Sequence, residues 1–150
     1  MKTEIFRLNL ISPLYYTTGG GSDPFGYRED VEGAAGVERL FVFELEESQL
    51  RSIEPDRERL FGPLIFYGIS GGKLVPKTPD GDTPSQLPGG DYLFVQKREI
   101  LGREKIIDLA VEVQQECLWQ RLHPGKRLYL RYLFEDGRGV TQLFRSYSEN

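Results

Sequence analysis

The sequence predicts an α+β fold, in which a mainly antiparallel sheet is backed by one long helix. Short segments with alternating apolar and polar side chains recur along the chain, as in half-buried strands. Only residues 103–122 carry the apolar stripe of a long amphipathic helix. Two pairs of strand segments flank short glycine turns, which favour hairpins and hence antiparallel pairing.

The composition fits a single domain over residues 1–150, because this length and a hydrophobic content of 39% suffice for a sizeable core. No apolar run is long enough to cross a membrane. The N-terminal segment is interrupted by Glu4, Arg7 and Asn9, so it lacks the continuous apolar stretch of a signal peptide. We therefore expect a cytoplasmic protein without membrane association.

Charge and the scarcity of metal-binding side chains narrow the function classes. The net charge of -4 disfavours nucleic-acid binding, since phosphate neutralisation requires a basic surface. The one cysteine, Cys117, excludes an intramolecular disulfide and is expected to be an inert core thiol. The one histidine, His123, leaves little for a metal site, so no metal and no cofactor are expected. A local basic cluster is interpreted as a solvated rim: Arg121, His123, Lys126, Arg127 and Arg131.

The first half of the chain begins with a strand and a long loop. Residues 3–11 alternate and place Phe6, Leu8 and Leu10 on one face. Residues 17–36 are too dense in glycine for regular structure, so they predict a loop.

A central strand, a short helix and a hairpin follow. Residues 37–46 are apolar on both faces, which is typical of a central strand. Residues 47–53 predict a short helix, and residues 63–76 predict a hairpin. The faces of the central strand are Phe41, Phe43 and Leu45 on one side and Leu40 and Val42 on the other.

The second half follows a polar loop over residues 76–90 that is dense in proline and glycine. It opens with a strand in the stretch LPGGDYLFVQ. This strand turns Tyr92, Phe94 and Gln96 to one face and Leu93 and Val95 to the other. The long helix over residues 103–122 comes next, and His123-Pro124-Gly125 is predicted to end it. Its apolar stripe contains Ile106, Leu109, Ala110, Val113 and Cys117, widened by Ile107, Val111, Leu118 and Leu122.

Residues 126–147 predict a closing hairpin. We predict a three- or five-residue loop with Gly139 in the left-handed conformation, because a two-residue turn would pair apolar with polar side chains. The predicted register pairs Leu130 with Phe144 and Phe134 with Val140.

Residues 37–76 and 90–147 share the order strand, helix, hairpin, which predicts a tandem βαββ pseudo-repeat. In this plan, residues 92–96 form the first and innermost strand of the second half.

This plan, led in its second half by LPGGDYLFVQ, resembles the gyrase-inhibitory-protein-like (GyrI-like) family of small-molecule-binding domains. Members often carry a proline or alanine, a glycine and a tyrosine before the corresponding strand. The resemblance covers residues 37–147 in architecture but only this motif in residues. The chain departs from the family pattern in its short connection between the helix and the final hairpin. The matching residues are Pro88, Gly89, Gly90 and Tyr92.

The resemblance implies a cleft between the two halves that binds a cationic or polar small molecule, using aromatic walls and a partly buried carboxylate. No catalytic residue carries over, so a binding domain is expected rather than an enzyme. The side chains that fit these roles are Tyr67, Tyr92, Phe94 and Tyr132 as walls and Glu44 and Glu135 as carboxylates.

Two alternatives stay open. An interaction or homo-oligomerising module would use a sheet edge or Trp119 to bind a protein partner or a second copy. A carboxylate-based hydrolase would use Glu44 or Glu135 as a general base. Structural roles also explain these residues: Glu44 as a solvent-facing residue at a strand end, Glu135 as a turn former and Trp119 as a side chain packed at the core edge.

Overall fold

A computed structural model describes residues 4–18, 38–62, 64–70 and 87–149. This part of the chain is a seven-stranded antiparallel sheet with one α-helix, which confirms the predicted α+β fold class. The elements are β1 (Phe6–Leu10), β2 (Thr17–Thr18), β3 (Glu38–Glu44), β4 (Leu64–Ser70), β5 (Gly90–Lys97), α1 (Arg103–Trp119), β6 (His123–Glu135) and β7 (Arg138–Ser148).

The strands are arranged in the order β1-β5-β7-β6-β3-β4-β2, and every neighbouring pair is antiparallel. β3 lies between β4 and β6, so the central strand predicted at residues 37–46 is confirmed. The innermost position predicted for residues 92–96 is wrong, because β5 lies between β1 and β7. The centre belongs to β6 and β7, whose 13 and 11 residues form the longest hairpin of the described sheet.

α1 packs against one face of the sheet, here called the helix-side face, and the opposite one is called the outer face. The alternation predicted for β3 and β5 decides which side chains lie on each face. Buried side chains of the helix-side face are Phe41, Phe43, Tyr67, Leu93, Val95, Leu128, Leu130, Tyr132 and Leu143. Those of the outer face are Leu40, Val42, Tyr92, Tyr129 and Phe144, which pack with Tyr16 and Leu87.

α1 ends at Trp119, earlier than predicted, because the chain closes a Schellman motif there. In this motif the N–H of Leu122 donates to the carbonyl of Cys117 at 2.9 Å. Arg121 takes the left-handed position, with φ 61°, where helices usually place glycine. The predicted stop at residues 123–125 is wrong, since these residues open β6.

The β6–β7 turn consists of Asp136 and Gly137, with φ values of 53° and 76°. Two successive positive φ values define the type I′ turn that Asp-Gly favours. The predicted larger loop with a left-handed Gly139 is therefore wrong. The turn places Leu130 opposite Leu143 and Phe134 opposite Gly139, in place of the predicted Leu130–Phe144 and Phe134–Val140 pairs.

The tandem βαββ pseudo-repeat is not confirmed. In the described part of the chain, residues 47–53 contain a 3-10 turn, Glu47–Gln49, and no α-helix. The first strand of the hairpin predicted at residues 63–76 is β4, whereas its second strand lies outside the described residues. Most of the predicted loops at residues 17–36 and 76–90 also lie outside them.

The reactivity of the Cys117 thiol tests how α1 packs on the sheet. Its side chain is buried, and burial raises the pKa of the thiol to about 11 from an ordinary value of 9.0. At pH 8 the thiolate fraction of the folded protein should be about a hundredfold smaller than that of the unfolded chain. We expect Ellman's reagent to modify the native protein at least about fiftyfold more slowly than protein in guanidinium chloride. Equal rates would show that this side of α1 is open to solvent.

Candidate functional site

The four aromatic residues predicted as cleft walls lie on both faces of the sheet. Tyr67 and Tyr132 are buried on the helix-side face. Tyr92 is buried on the outer face, where Phe94 packs against the same cluster. The structure therefore brings these residues together as two separate pairs, and no single cleft between Tyr92 and Tyr132 contains all four.

The two predicted carboxylates are solvent-exposed. Glu44 ends β3, where Arg127 on β6 is its cross-strand partner. Glu135 precedes the β6–β7 turn, with a carboxylate oxygen 3.8 Å from Nη1 of Arg98. Neither is the partly buried carboxylate that the resemblance implies for a cationic ligand. A hydrolase role for either residue stays a prediction.

Trp119, the remaining predicted residue, is 70% exposed at the end of α1. The interpretation that it packs at the core edge is therefore wrong. An exposed tryptophan fits the interaction hypothesis, because this side chain is favoured at protein interfaces.

The Pro-Gly-Gly turn before β5 explains the position of Tyr92. The Tyr92 hydroxyl donates to the carbonyl of Pro88 at 2.5 Å. Its ring meets Tyr129 and Phe144 edge-on, with centroid distances of 5.7 and 5.8 Å. Gly90 has φ 143°, a conformation that favours glycine. Burial raises the pKa of Tyr92, as expected for a hydroxyl in the core rather than in an open site.

A chain of paired polar side chains crosses the outer face beside this cluster. Glu38 accepts hydrogen bonds from the Tyr16 hydroxyl at 2.9 Å and from Nη2 of Arg131 at 2.7 Å. Nη1 of Arg131 donates to Gln142 at 2.9 Å, and Gln142 donates to Gln96 at 2.6 Å. Arg131, predicted as part of a solvated rim, is thus an ion-paired residue at 15% side-chain exposure. Since the charges are paired, we interpret this series of hydrogen-bonded side chains as structural support for the outer face.

On the helix-side face, a row of side chains crosses four strands near the N-terminus of α1. In the strand register, Lys97 on β5 lies opposite Thr141 on β7, Thr141 lies opposite Tyr132 on β6, and Tyr132 lies opposite Arg39 on β3. The N–H of Leu101 donates to the Thr141 hydroxyl at 3.0 Å, and the Tyr132 hydroxyl donates to the carbonyl of Leu101 at 3.4 Å. These bonds attach the segment that enters α1 to the row.

Two buried side-chain nitrogens of Arg39, another member of this row, have no hydrogen-bond partner. Arg39 is 7% exposed, and within the described part of the chain neither Nε nor Nη1 has a partner. Together these nitrogens carry three N–H donors. Burying a cation without acceptors is costly, and such orphaned donors are rare in folded cores. Arg39 is therefore a candidate anchor for an anion.

Aromatic rings flank Arg39. Tyr132 lies directly opposite it on β6, and Phe41 follows it along the same face of β3. Phe41 stacks on Tyr67, with ring centroids 4.7 Å apart and 9° between the planes, and meets the edge of Tyr132 at 5.9 Å. The structure thus joins two predicted wall residues, Tyr67 and Tyr132, to an arginine that sequence analysis missed.

The alternation of residues 37–46 contained a signal for Arg39. Its position has the same parity as Phe41 and Phe43, so the pattern that places those rings inside places the arginine inside as well. A charged side chain at an inward strand position is costly unless it is paired, and such residues are functional-site candidates. Glu44, which was singled out in the same strand, has the opposite parity and is exposed.

A concavity of about 250 Å³ lies beside the first turns of α1. It contains both charge signs, and Lys105 lies 3.8 Å from Glu99 across it. This mixed lining selects neither anions nor cations, and the volume is below that of typical ligand pockets. Arg39, rather than this concavity, is therefore the feature that can select a ligand by its charge. The concavity is lined by Lys97, Glu99, Leu101, Lys105, Asp108 and Leu109.

No protein-family model matches this sequence, and a search of curated proteins finds no match either. Helix α1 is the only α-helix described, and no described helix has the length and apolar character needed to span a membrane. Among the described residues, no group of three or more His, Cys, Asp or Glu side chains is arranged to hold a metal ion.

Proposed function

We propose that this chain is a non-enzymatic, cytoplasmic small-molecule-binding domain, and that its ligand is a small organic anion held at Arg39. The observation that carries the proposal is the pair of unpartnered nitrogens, Nε and Nη1, in a side chain that is 7% exposed. A ligand carboxylate or phosphate would supply the acceptors that the described residues do not. The cytoplasmic location rests on the sequence alone.

The position of Arg39 supports a site between the two predicted halves. β3 belongs to residues 37–76 and β6 to residues 90–147, and Arg39 pairs with Tyr132 along the ladder that joins these strands. A ligand at Arg39 would therefore lie at the junction where the GyrI-like resemblance implies a cleft. The resemblance itself stays a prediction.

The charge beside the aromatic rings is positive, so the proposed ligand is anionic rather than cationic. The guanidinium of Arg39 supplies the charge, and the rings of Tyr132 and the Phe41–Tyr67 stack supply apolar contact area. Planar guanidinium and aromatic groups both favour contact with flat ring systems. The ligand class that fits is an aromatic or heteroaromatic ring with an acidic substituent.

A thermal-shift comparison of matched compounds tests this proposal. Benzoate, 1-naphthoate and phenyl phosphate are the anions, while benzamidine and benzamide carry the same ring with positive charge or none. A ligand at about a hundred times its Kd adds about 2.7 kcal/mol, a Tm rise of about 5–10 °C for a chain of this length. We expect at least one anion to produce this rise and neither benzamidine nor benzamide to do so. Any other pattern, including no shift at all, contradicts the proposal.

A further inference from the structure

Arg145 is a buried cation between α1 and the sheet. It lies on the helix-side face of β7, where Leu93 on β5 and Leu128 on β6 are its cross-strand partners. Both leucines are completely buried, and Arg145 itself is 1% exposed. From α1, the completely buried Gln114 and Cys117 lie close to it. The guanidinium is therefore held in the core, away from bulk water.

The hydrogen bonds of Arg145 satisfy only part of its guanidinium. Nε donates to the carbonyl of Gly125 at 2.9 Å, and Nη1 donates to Oε1 of Gln114 at 3.0 Å. Nη2 is buried and has no hydrogen-bond partner in the described part of the chain. This nitrogen carries two N–H groups, and buried donors without an acceptor are rare in folded cores. Its environment therefore calls for an acceptor other than those of the described residues.

The charge of Arg145 is also unbalanced. Both of its acceptors are neutral amide oxygens, from Gly125 and Gln114. Burial lowers the pKa of Arg145, and among the described residues the opposing influence comes from the Cys117 thiol, not from a carboxylate. Since burial raises the pKa of that thiol to about 11, it carries no charge at neutral pH. A buried cation without a counter-ion is costly, so an anion beside it would stabilise the fold.

The enclosure of Arg145 restricts the size of the missing acceptor. An organic acid would need an opening that a side chain at 1% exposure does not offer. A single water molecule needs about two to four polar partners, whereas leucines flank Arg145 on both neighbouring strands. A monatomic anion accepts hydrogen bonds from any direction and balances the charge as well. Chloride or bromide therefore fits best.

From these observations we infer that the core holds a halide ion at Nη2 of Arg145, enclosed by α1, β5, β6 and β7. Nη2 donates to the ion, while the bonds to Gly125 and Gln114 fix the orientation of the guanidinium. This site is separate from the organic anion proposed at Arg39, because β6 lies between β3 and β7. The ion stabilises the packing of α1 on the sheet and takes no part in binding the organic ligand.

Thermal unfolding at constant ionic strength tests the inference, with potassium chloride or bromide replacing potassium isethionate. Isethionate is a monovalent organic anion, too large for the enclosed site. A halide bound with a Kd of about 20 mM should raise the Tm by roughly 3–6 °C at about 200 mM, and the rise should saturate. A Tm that does not rise, or that rises without saturating, would overturn the inference.

Two variants show which arginine holds the ion. Arg145→Met combined with Gln114→Leu removes the donor and its hydrogen-bonded partner together, and it should abolish the saturating rise. Arg39→Met lacks the anchor of the proposed organic ligand and should keep the full rise. A rise that persists in the double variant, or that disappears in Arg39→Met, would show that the halide binds elsewhere.

A crystal structure of the unaltered chain grown in bromide gives a second measurement that does not depend on how the variants fold. Anomalous scattering should place a bromide in contact with Nη2 of Arg145. Density for a water molecule there, or no density at all, would contradict the inference whatever the Tm shows.

Discussion

Replacing Gln114 by alanine is expected to lower the free energy of unfolding by about 3–5 kcal/mol and the Tm by roughly 10 °C. Gln114 is completely buried on α1 and holds three groups at once. Its Nε2 donates to the carbonyls of Gln49 and Ser52, at 2.8 and 2.5 Å. Its Oε1 accepts from Nη1 of Arg145 at 3.0 Å. Alanine leaves Nη1 of Arg145 without its acceptor in the core and removes a donor from the half-buried carbonyls of Gln49 and Ser52.

Arg145 makes this loss severe, because it is a buried cation at 1% exposure. Burial lowers its pKa to about 10, well below the ordinary value of an arginine. The unfolded chain therefore holds this proton more tightly, so the charge destabilises the fold at every pH below about 10, and this destabilisation decreases only as the pH rises above that value. The hydrogen bond from its Nε to the carbonyl of Gly125, at 2.9 Å, cannot replace the acceptor that Gln114 supplies.

Chemical denaturation of the matched variant Gln115→Ala provides the control. Gln115 also donates to a backbone carbonyl, that of Ile53 at 2.8 Å, but it does so in solvent. Its replacement should cost no more than about 1 kcal/mol. In a double-mutant cycle, Gln114→Leu with Arg145→Met should be at least about 1 kcal/mol less destabilised than the sum of the single variants. Equal losses for Gln114→Ala and Gln115→Ala would contradict the buried bonding scheme.

The opposite result is expected for Arg39. Replacing it by methionine should raise the free energy of unfolding of the ligand-free protein by about 1–3 kcal/mol, and the Tm by about 3–10 °C. The unbranched methionine fills the space of the arginine stem, and it removes donors for which the described residues offer no acceptor. Arg145→Met, by contrast, should destabilise, since it strips partners from Gln114 and Gly125.

Thermal and urea unfolding of Arg39→Met measure this effect beside Arg98→Met. Arg98 is an exposed arginine with one long contact to Glu135, so its replacement should change stability by no more than about 0.5 kcal/mol. A loss of stability in Arg39→Met would mean that the guanidinium has acceptors in the folded protein. The proposal of an anion site would then lose its main support.

The fold could be predicted from the sequence in segments whose apolar residues recur at a single period, either that of a strand or that of a helix. Alternation correctly assigned the faces of β3 and β5, and the apolar stripe correctly placed α1. The end of α1 could not be predicted, because a non-glycine residue, Arg121, takes the left-handed position. The predicted hairpin register is wrong because the turn preference of Asp136-Gly137 determines the pairing more strongly than the match of apolar side chains does.

The site could be predicted only in part, for a related reason. β3, β5 and β6 are apolar on both faces. Alternation therefore divides the side chains of each strand into two sets, but it does not show which sets of neighbouring strands lie on the same face of the sheet. That correspondence depends on register, where a slip of one residue exchanges the faces. Tyr92 and Tyr132 were therefore assigned to one cleft although they lie on opposite faces. Arg39 was identifiable, because its position has the same parity as the inward-facing Phe41 and Phe43.

The most direct test of the central claim is a calorimetric titration with the anion that gives the largest thermal shift. It compares the wild-type chain with Arg39→Met and Arg98→Met. Wild type and Arg98→Met should bind with the same Kd, whereas Arg39→Met should bind about a hundredfold more weakly, because it lacks the charged donors. If Arg39→Met binds within threefold of wild type, the anion is held elsewhere and Arg39 is not its anchor.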